Sequence, residues 1–224
     1  MQTRALIFDL DGTMIDSLGY HAKSWAGFIQ QHGLQLDVHA WMRGANGRTG
    51  IECMCELFGR PLSEEEARPL VAQKEQMYRT LFAPAFAEIA GFTQFIEQVC
   101  GGGLKFGIGT AGERDNIAFA LSKLALSNLP QAQVGGDEGL AGKPDPAIFL
   151  EVARRLNVPA QDCIVFEDAP FGIEAARRAG MRAVAICSTH SSAQLAGPHV
   201  IASARNYLEL MNTNFLETLH VSTP

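Results

Sequence analysis

The sequence predicts an α/β protein, and three features of its 224 residues carry that prediction. From Asp145 onward, short apolar runs suited to strands alternate with helical stretches, the pattern of a parallel sheet with helices on its faces. Two earlier runs, Arg4 to Phe8 and Leu104 to Thr110, share that strand character. Between them, about Ser17 to Glu88 shows helical periodicity and no convincing strand. The expected architecture is a Rossmann-like parallel sheet core flanked by helices, formed by residues 1–16 and 88–224, with an inserted all-helical cap domain at residues 17–87.

Each element has its own signal. The run Ala5-Leu6-Ile7-Phe8 is apolar without alternation, as expected of a strand covered on both faces. Asp16-Ser17 reads as the N-cap of the first cap helix, and Ser63 with Glu66 three residues on reads as a capping box. Gly101-Gly102-Gly103 ends the helix GFTQFIEQVC and turns into the strand LKFGIG. Pro144 and Pro146 mark the first turn of the helix in PAIFLEVARRLNV. Strands at Cys163 to Phe166, Ala183 to Cys187 and Val200 to Ala202 follow, with FGIEAARRAG as a helix after the first of them.

Composition narrows the function classes. A net charge of -6, with Lys and Arg scattered, provides no basic stripe for a nucleic-acid backbone. No segment approaches the roughly 18 continuous apolar residues of a membrane span, and the opening MQTRALIFDLD lacks a secretory pattern. The five cysteines have neither metal-ligand spacing nor a disulfide framework and read as cytosolic thiols. The expectation is a soluble, cytoplasmic monomer with no nucleic-acid or membrane partner.

The chemistry gathers at the carboxyl ends of the strands. In an open parallel sheet the ligand crevice lies outside those ends, and an insert leaving the first strand there hangs above it as a lid. That edge would carry Asp9, Asp11, Thr110, Lys143, Glu167 and Asp168. Carboxylates this close repel unless a cation lies between them. A phosphate ester would use every member. Asp9 can attack phosphorus, while Asp11 can protonate the leaving oxygen and later activate water, which asks for a raised pKa in one state. Asp9, Asp168 and the Asp11 carbonyl, with Glu167 as a further candidate, are hard oxygen donors suited to Mg²⁺. Lys143 can hold nucleophile and phosphate together, and Thr110 with the amides of Ala111 and Gly112 can donate to phosphoryl oxygens.

FDLDGT, Thr110 at a strand end, GKPDP and FEDAPFGIEAARRAG, in this order, resemble the four motifs of the haloacid dehalogenase superfamily of phosphoryl-transfer enzymes. The resemblance covers nearly the whole chain and is greatest to the β-phosphoglucomutase-like branch of sugar-phosphate phosphatases and mutases. It implies a Rossmann-like core, Mg²⁺, nucleophile Asp9 and acid/base Asp11. It also implies cap contacts to substrate from His21, Arg48 and Lys74. Its dehalogenating members lack an acid at the place of Asp11. The chain departs from the pattern after Thr110, where Ala111 and Gly112 replace polar residues. Glu113-Arg114 stands where the mutase has Lys-Asn contacts to a far phosphate; Glu113 would repel that phosphate, and Arg114 could substitute.

Other readings compete at several positions. His21 can be a helix residue that only packs, and Arg48 and Lys74 can be solvated basic residues. Gly107 to Gly112 spells GxGxxG, but two of its glycines lie inside the predicted strand, against a dinucleotide site. A phospho-accepting receiver module shares the acids, hydroxyl and Lys but is about half this length and has no insert. The sequence is therefore read as a Mg²⁺-dependent phosphatase of a small phosphorylated substrate such as a sugar phosphate. A sugar phosphomutase of the β-phosphoglucomutase type is the alternative.

Overall fold

The computed structural model describes residues 3–45 and 47–219. The chain opens with β1 (Ala5–Phe8), then runs through α1 (Leu18–Gln31), α2 (Val38–Ala45), α3 (Gly50–Leu57) and α4 (Glu64–Phe82) before α5 (Phe92–Gly101) and β2 (Lys105–Gly109). It continues as α6 (Arg114–Lys123), β3 (Ala132–Val134), α7 (Ala147–Leu156), β4 (Cys163–Glu167) and α8 (Pro170–Arg178). β5 (Arg182–Ile186), β6 (Val200–Ala204), α9 (Tyr207–Met211) and α10 (Phe215–Thr218) complete it. The strands form one parallel sheet in the order β3-β2-β1-β4-β5-β6.

Successive strand residues point to opposite faces, and β1 divides accordingly. Leu6 and Phe8 join one cluster with Phe92, Phe106, Phe166 and Tyr207; Ala5 and Ile7 join another with Ile148, Phe149, Val152 and Val165. Phe8 stacks on Phe166 with ring centroids 4.5 Å apart. Both rings are fully buried, each contributing about 1.5–3 kcal/mol of transfer free energy. The insert has a small core of its own around Trp25, Phe28, Met54 and Val71, while Tyr78 and Phe82 of α4 reach the cluster beneath the sheet. The insert leaves and rejoins the core side by side. Asp16 N donates to Ala87 O at 3.0 Å, and Ile89 N donates to Met14 O at 2.9 Å.

The expected strands appear within a residue or two of their predicted ends, and β3 is an addition. Its three residues, with Gln133 at the centre, are too short and too polar to show a period. Ser63 caps α4 in the expected box with Glu66, and Thr49 does the same for α3 with Glu52. Ser17 stands at the N-cap of α1 but its side chain makes no capping bond there. The prolines precede α7, with Pro146 as its N-cap and Asp145 Oδ1 accepting from Ala147 N at 2.9 Å. Gly107 and Gly109 turn their α-carbons toward α7: a Cβ there would come within 2.6 Å of Val152 and 3.0 Å of Ile148. Close helix packing is the reason for these glycines.

Candidate active site

The sheet order places β1 beside β4, at the point where the crossovers change direction, and the crevice opens at their carboxyl ends. Asp9 follows β1 directly, its N donating to Phe166 O at 3.0 Å. Gly12, at φ 80°, turns the chain back, and its missing Cβ leaves room for Asp168, whose Oδ2 lies 2.4 Å from where that atom would be. Thr13 Oγ1 donates to Asp168 Oδ1 at 3.0 Å, and Thr189, in the loop after β5, donates to Asp168 Oδ2.

Lys143 arrives from the loop before α7. Its Nζ lies 2.5 Å from Asp9 Oδ1 and 2.7 Å from Glu167 Oε1. Glu167 Oε2 accepts from Ala169 N at 2.8 Å, so both of its oxygens are engaged within the protein. Asp9, Glu167 and Asp168 are 7%, 1% and 2% exposed, so three carboxylates are buried close together, two of them on the Lys143 ammonium. Burial, helped by Glu167, holds the Asp9 carboxyl up at about 7 although Lys143 pulls it down. Burial and the charges of Glu167 and Asp9 raise Asp168 well above the carboxylate range. Lys143 is held up by the same two partners against the effect of its burial.

Asp11 is bound differently. Its Oδ1 accepts from Ser17 Oγ at 2.6 Å and Tyr78 OH at 3.3 Å, and His21 Nε2 lies 3.0 Å away. Burial alone would raise this carboxyl, but His21, Ser17 and Lys74 outweigh it and bring it to about 2. The raised pKa expected of Asp11 is thus not met in this arrangement, because insert residues supply donors the sequence did not reveal. Lys74 Nζ lies 2.7 Å from His21 Nδ1 and 2.8 Å from Glu75 Oε1. The ammonium donates to Nδ1, leaving the Nε2 proton of His21 to face Asp11. Glu75 Oε2 accepts from Asn116 Nδ2 of α6 at 2.8 Å, and Asn116 Oδ1 accepts from Arg79 at 2.8 Å.

Thr110 and Ala111 border the cleft, but the Gly112 amide donates to Thr110 Oγ1 at 3.1 Å and is turned to its own loop. The cleft opens to solvent, and its lining includes Asp9, Asp11, Lys143, Arg48, Lys74 and Glu75. Arg48 pairs with Glu56. Arg114 is exposed at the start of α6 and does not line the cleft. Among the described residues, no group of three or more His, Cys, Asp or Glu side chains forms a metal cage. The residues not singled out from sequence are Thr13, Thr189, Tyr78, Glu75 and Asn116; Ser17 was read as a helix cap. Each acts across a long sequence separation or against a local rule.

Fold and site define a class: a doubly wound α/β enzyme whose carboxylate and lysine centre lies at the sheet edge beneath a helical insert. The chain belongs to the family of haloacid dehalogenase-like hydrolases, whose model matches residues 6–186. It is 31% identical to the validoxylamine A 7'-phosphate phosphatase of Streptomyces hygroscopicus subsp. limoneus, over 88% of this chain and 92% of that one. It is 32% identical to the fructose-1-phosphate phosphatase of Escherichia coli, over 80% of this chain and 94% of that one. Among solved structures, the β-phosphoglucomutase of Clostridium difficile superposes with a TM-score of 0.80 at 25% identity, covering 97% of this chain and 99% of that one. No helix among the described residues is long and apolar enough to cross a membrane.

Proposed function

We propose that the protein is a Mg²⁺-dependent phosphomonoesterase acting on a small sugar phosphate or similar ester, with residues 17–87 closing over the substrate as a cap. One observation carries the reading: Asp9, buried at the strand end, is held by Lys143 at 2.5 Å at the floor of a cleft roofed by the insert. The names of the phosphatases it resembles support the substrate class.

Asp9 attacks phosphorus, and the bond from phosphorus to the ester oxygen breaks as an aspartyl-phosphate forms. The leaving alkoxide takes a proton from Asp11. Water then attacks the phosphoryl group, its proton passes to Asp11, and free phosphate leaves as the Asp9 carboxylate is restored. The geometry presents Asp11 ionised, in its base form, because Oδ1 is crowded with donors. As the acid of the first step Asp11 carries a proton, and taking it up requires that substrate binding displace Ser17, His21 or Tyr78 from Oδ1. Lys143, shared with Glu167, neutralises charge on Asp9 and the phosphoryl oxygens, while Thr110 and the amide of Ala111 line the phosphate's place.

The donor set fits Mg²⁺. Three neighbouring buried carboxylates, with one ammonium shared between Asp9 and Glu167, leave negative charge uncompensated, as the raised Asp9 and Asp168 reflect. Asp9, Asp168 and the Asp11 carbonyl would hold the ion, with waters in its other positions, and Glu167 would orient Lys143. Bound there, the ion would screen the charge of the transferring phosphoryl group. A monomer in the cytoplasm, with free thiols at Cys100, Cys163 and Cys187, completes the reading.

The test is release of inorganic phosphate from hexose, hexitol and pentose phosphates, with Mg²⁺ and with chelator. Chelator-sensitive release from some of them is expected. No release from any, with conversion of β-glucose 1-phosphate to the 6-phosphate once a bisphosphate primer is added, would replace the phosphatase with the mutase.

A further inference from the structure

Resting on the phosphatase reading, we infer that the half of the cleft away from Asp9 takes an uncharged, hydroxyl-bearing group, so that the substrates are monophosphates and sugar bisphosphates are rejected. The inference comes from what the insert's cations touch. Two basic side chains of the insert line the cleft among the described residues, Arg48 and Lys74, and each is matched by a carboxylate of the insert itself.

Lys74 is 1% exposed. Its ammonium is spent on Glu75 Oε1 at 2.8 Å and His21 Nδ1 at 2.7 Å, with the Trp25 ring 4.6 Å beneath it. Glu75 is itself anchored across the cleft by Asn116 of the core at 2.8 Å, so it cannot swing aside without breaking a bond between insert and core. Burial would favour a protonated Glu75, but the charge and hydrogen bond of Lys74, with the hydrogen bond from Asn116, overcome it and keep the carboxylate ionised. Arg48 pairs with Glu56, and Glu113, outside the cleft lining, stands within electrostatic reach of Glu75.

A second phosphate brings close to two negative charges and needs cations without prior partners. Here it would meet Glu75 before it could claim Lys74, and breaking that buried pair would leave a carboxylate facing a phosphate. A hydroxyl group suffers no such conflict. It can donate to Glu75 and accept from Lys74, the pairing a buried ion pair offers to a neutral polar group. Cleft chemistry of this kind separates a sugar monophosphate from a bisphosphate by charge, independently of which sugar is bound.

The experiment is calorimetric titration of the Asp9→Asn protein in the presence of Mg²⁺, which reads binding without turnover. The ligands are a panel of hexose, hexitol and pentose monophosphates and the matching bisphosphates. The best-bound monophosphate is expected to bind at least tenfold more tightly than its bisphosphate. Adding Glu75→Gln, which keeps size and hydrogen bonding but removes the charge, should narrow that ratio at least fivefold. Glu56→Gln, on an exposed pair with no part in holding the insert to the core, should move it the same way by less. Equal or tighter binding of the bisphosphate, or a ratio unmoved by both substitutions, overturns the inference. Phosphate release from the same monophosphates by the unmodified protein is read separately: its absence overturns the phosphatase assignment, while the binding ratio still decides this inference.

Discussion

Replacing Lys143 with Met tests the charge balance of the site most directly. Methionine keeps an unbranched chain beside Phe149, whose ring centre lies 4.7 Å from the ammonium, so the change is one of charge more than of volume. Contacts of 2.5 Å to Asp9 and 2.7 Å to Glu167 are each worth about 6 kcal/mol gross at an effective dielectric of about 20. Most of that is offset by the desolvation of all three groups, and removing one partner of a buried pair costs about 3–5 kcal/mol net. For a chain of this size that corresponds to a fall in Tm of about 10 °C. The pH dependence is the distinguishing mark. A carboxyl whose folded pKa lies above its unfolded value holds more protons folded than unfolded, so stability falls as pH rises between the two values. For Asp9 that interval already runs from 3.8 to about 7 with Lys143 present. Without the ammonium the interval extends upward, so the gap between the two proteins should be about 4 kcal/mol at pH 8 and about 1–2 kcal/mol at pH 5. The assay is urea denaturation followed by circular dichroism at both pH values, with chelator present. A gap of equal size at pH 5 and pH 8 would refute the electrostatic reasoning and leave Lys143 as a packing residue.

Three further outcomes are expected. Asp9→Asn should abolish steady-state phosphate release while leaving the circular dichroism spectrum unchanged; retained turnover would sink the nucleophile assignment. Thr189→Val removes the hydroxyl that donates to Asp168 Oδ2, and partners of this kind typically matter by about 10–100-fold in metal affinity. The Mg²⁺ concentration for half-maximal activity should therefore rise about tenfold with kcat at saturating Mg²⁺ largely kept, and an unaltered Mg²⁺ titration would count against that role. Gly107→Ala sets a methyl 2.6 Å from Val152 and should cost about 1–3 kcal/mol, whereas Gly101→Ala meets nothing within 4 Å and should be neutral or better in a thermal melt; equal effects would contradict the packing account.

How much of this was legible in the sequence depends on how far apart the interacting residues lie. Asp9, Glu167 and Asp168 could be placed together because each directly follows or ends a strand and a parallel sheet sends all such ends to one edge, and Lys143 because its loop leads into a proline-marked helix start. The partners of Asp11 could not. A serine one residue before a helix obeys the capping rule locally, yet the hydroxyl of Ser17 turns to the Asp11 carboxylate, a stronger acceptor than an amide is a donor. Thr189 lies 21 residues beyond Asp168 and Asn116 lies 41 beyond Glu75, with no periodicity linking either pair. Arg114 is a candidate only through the resemblance to the mutase's phosphate contacts, and as the first residue of α6 it is exposed and outside the cleft lining. β3 was missed because three residues centred on Gln133 hold no pattern to find.

The paired backbone bonds at Asp16 to Ala87 and Met14 to Ile89 make the insert a closed excursion, entering and leaving through one gate. The residues that hold Asp9 and Asp168 in place lie outside that excursion. Asp11 is the exception, because Ser17, His21 and Tyr78 of the excursion surround its Oδ1. On the proposed reading, exchanging the excursion would carry away Arg48, Lys74 and Glu75 together and leave the pair of Lys143 and Asp9 in place, while Asp11 would need new partners from whatever roof replaced it.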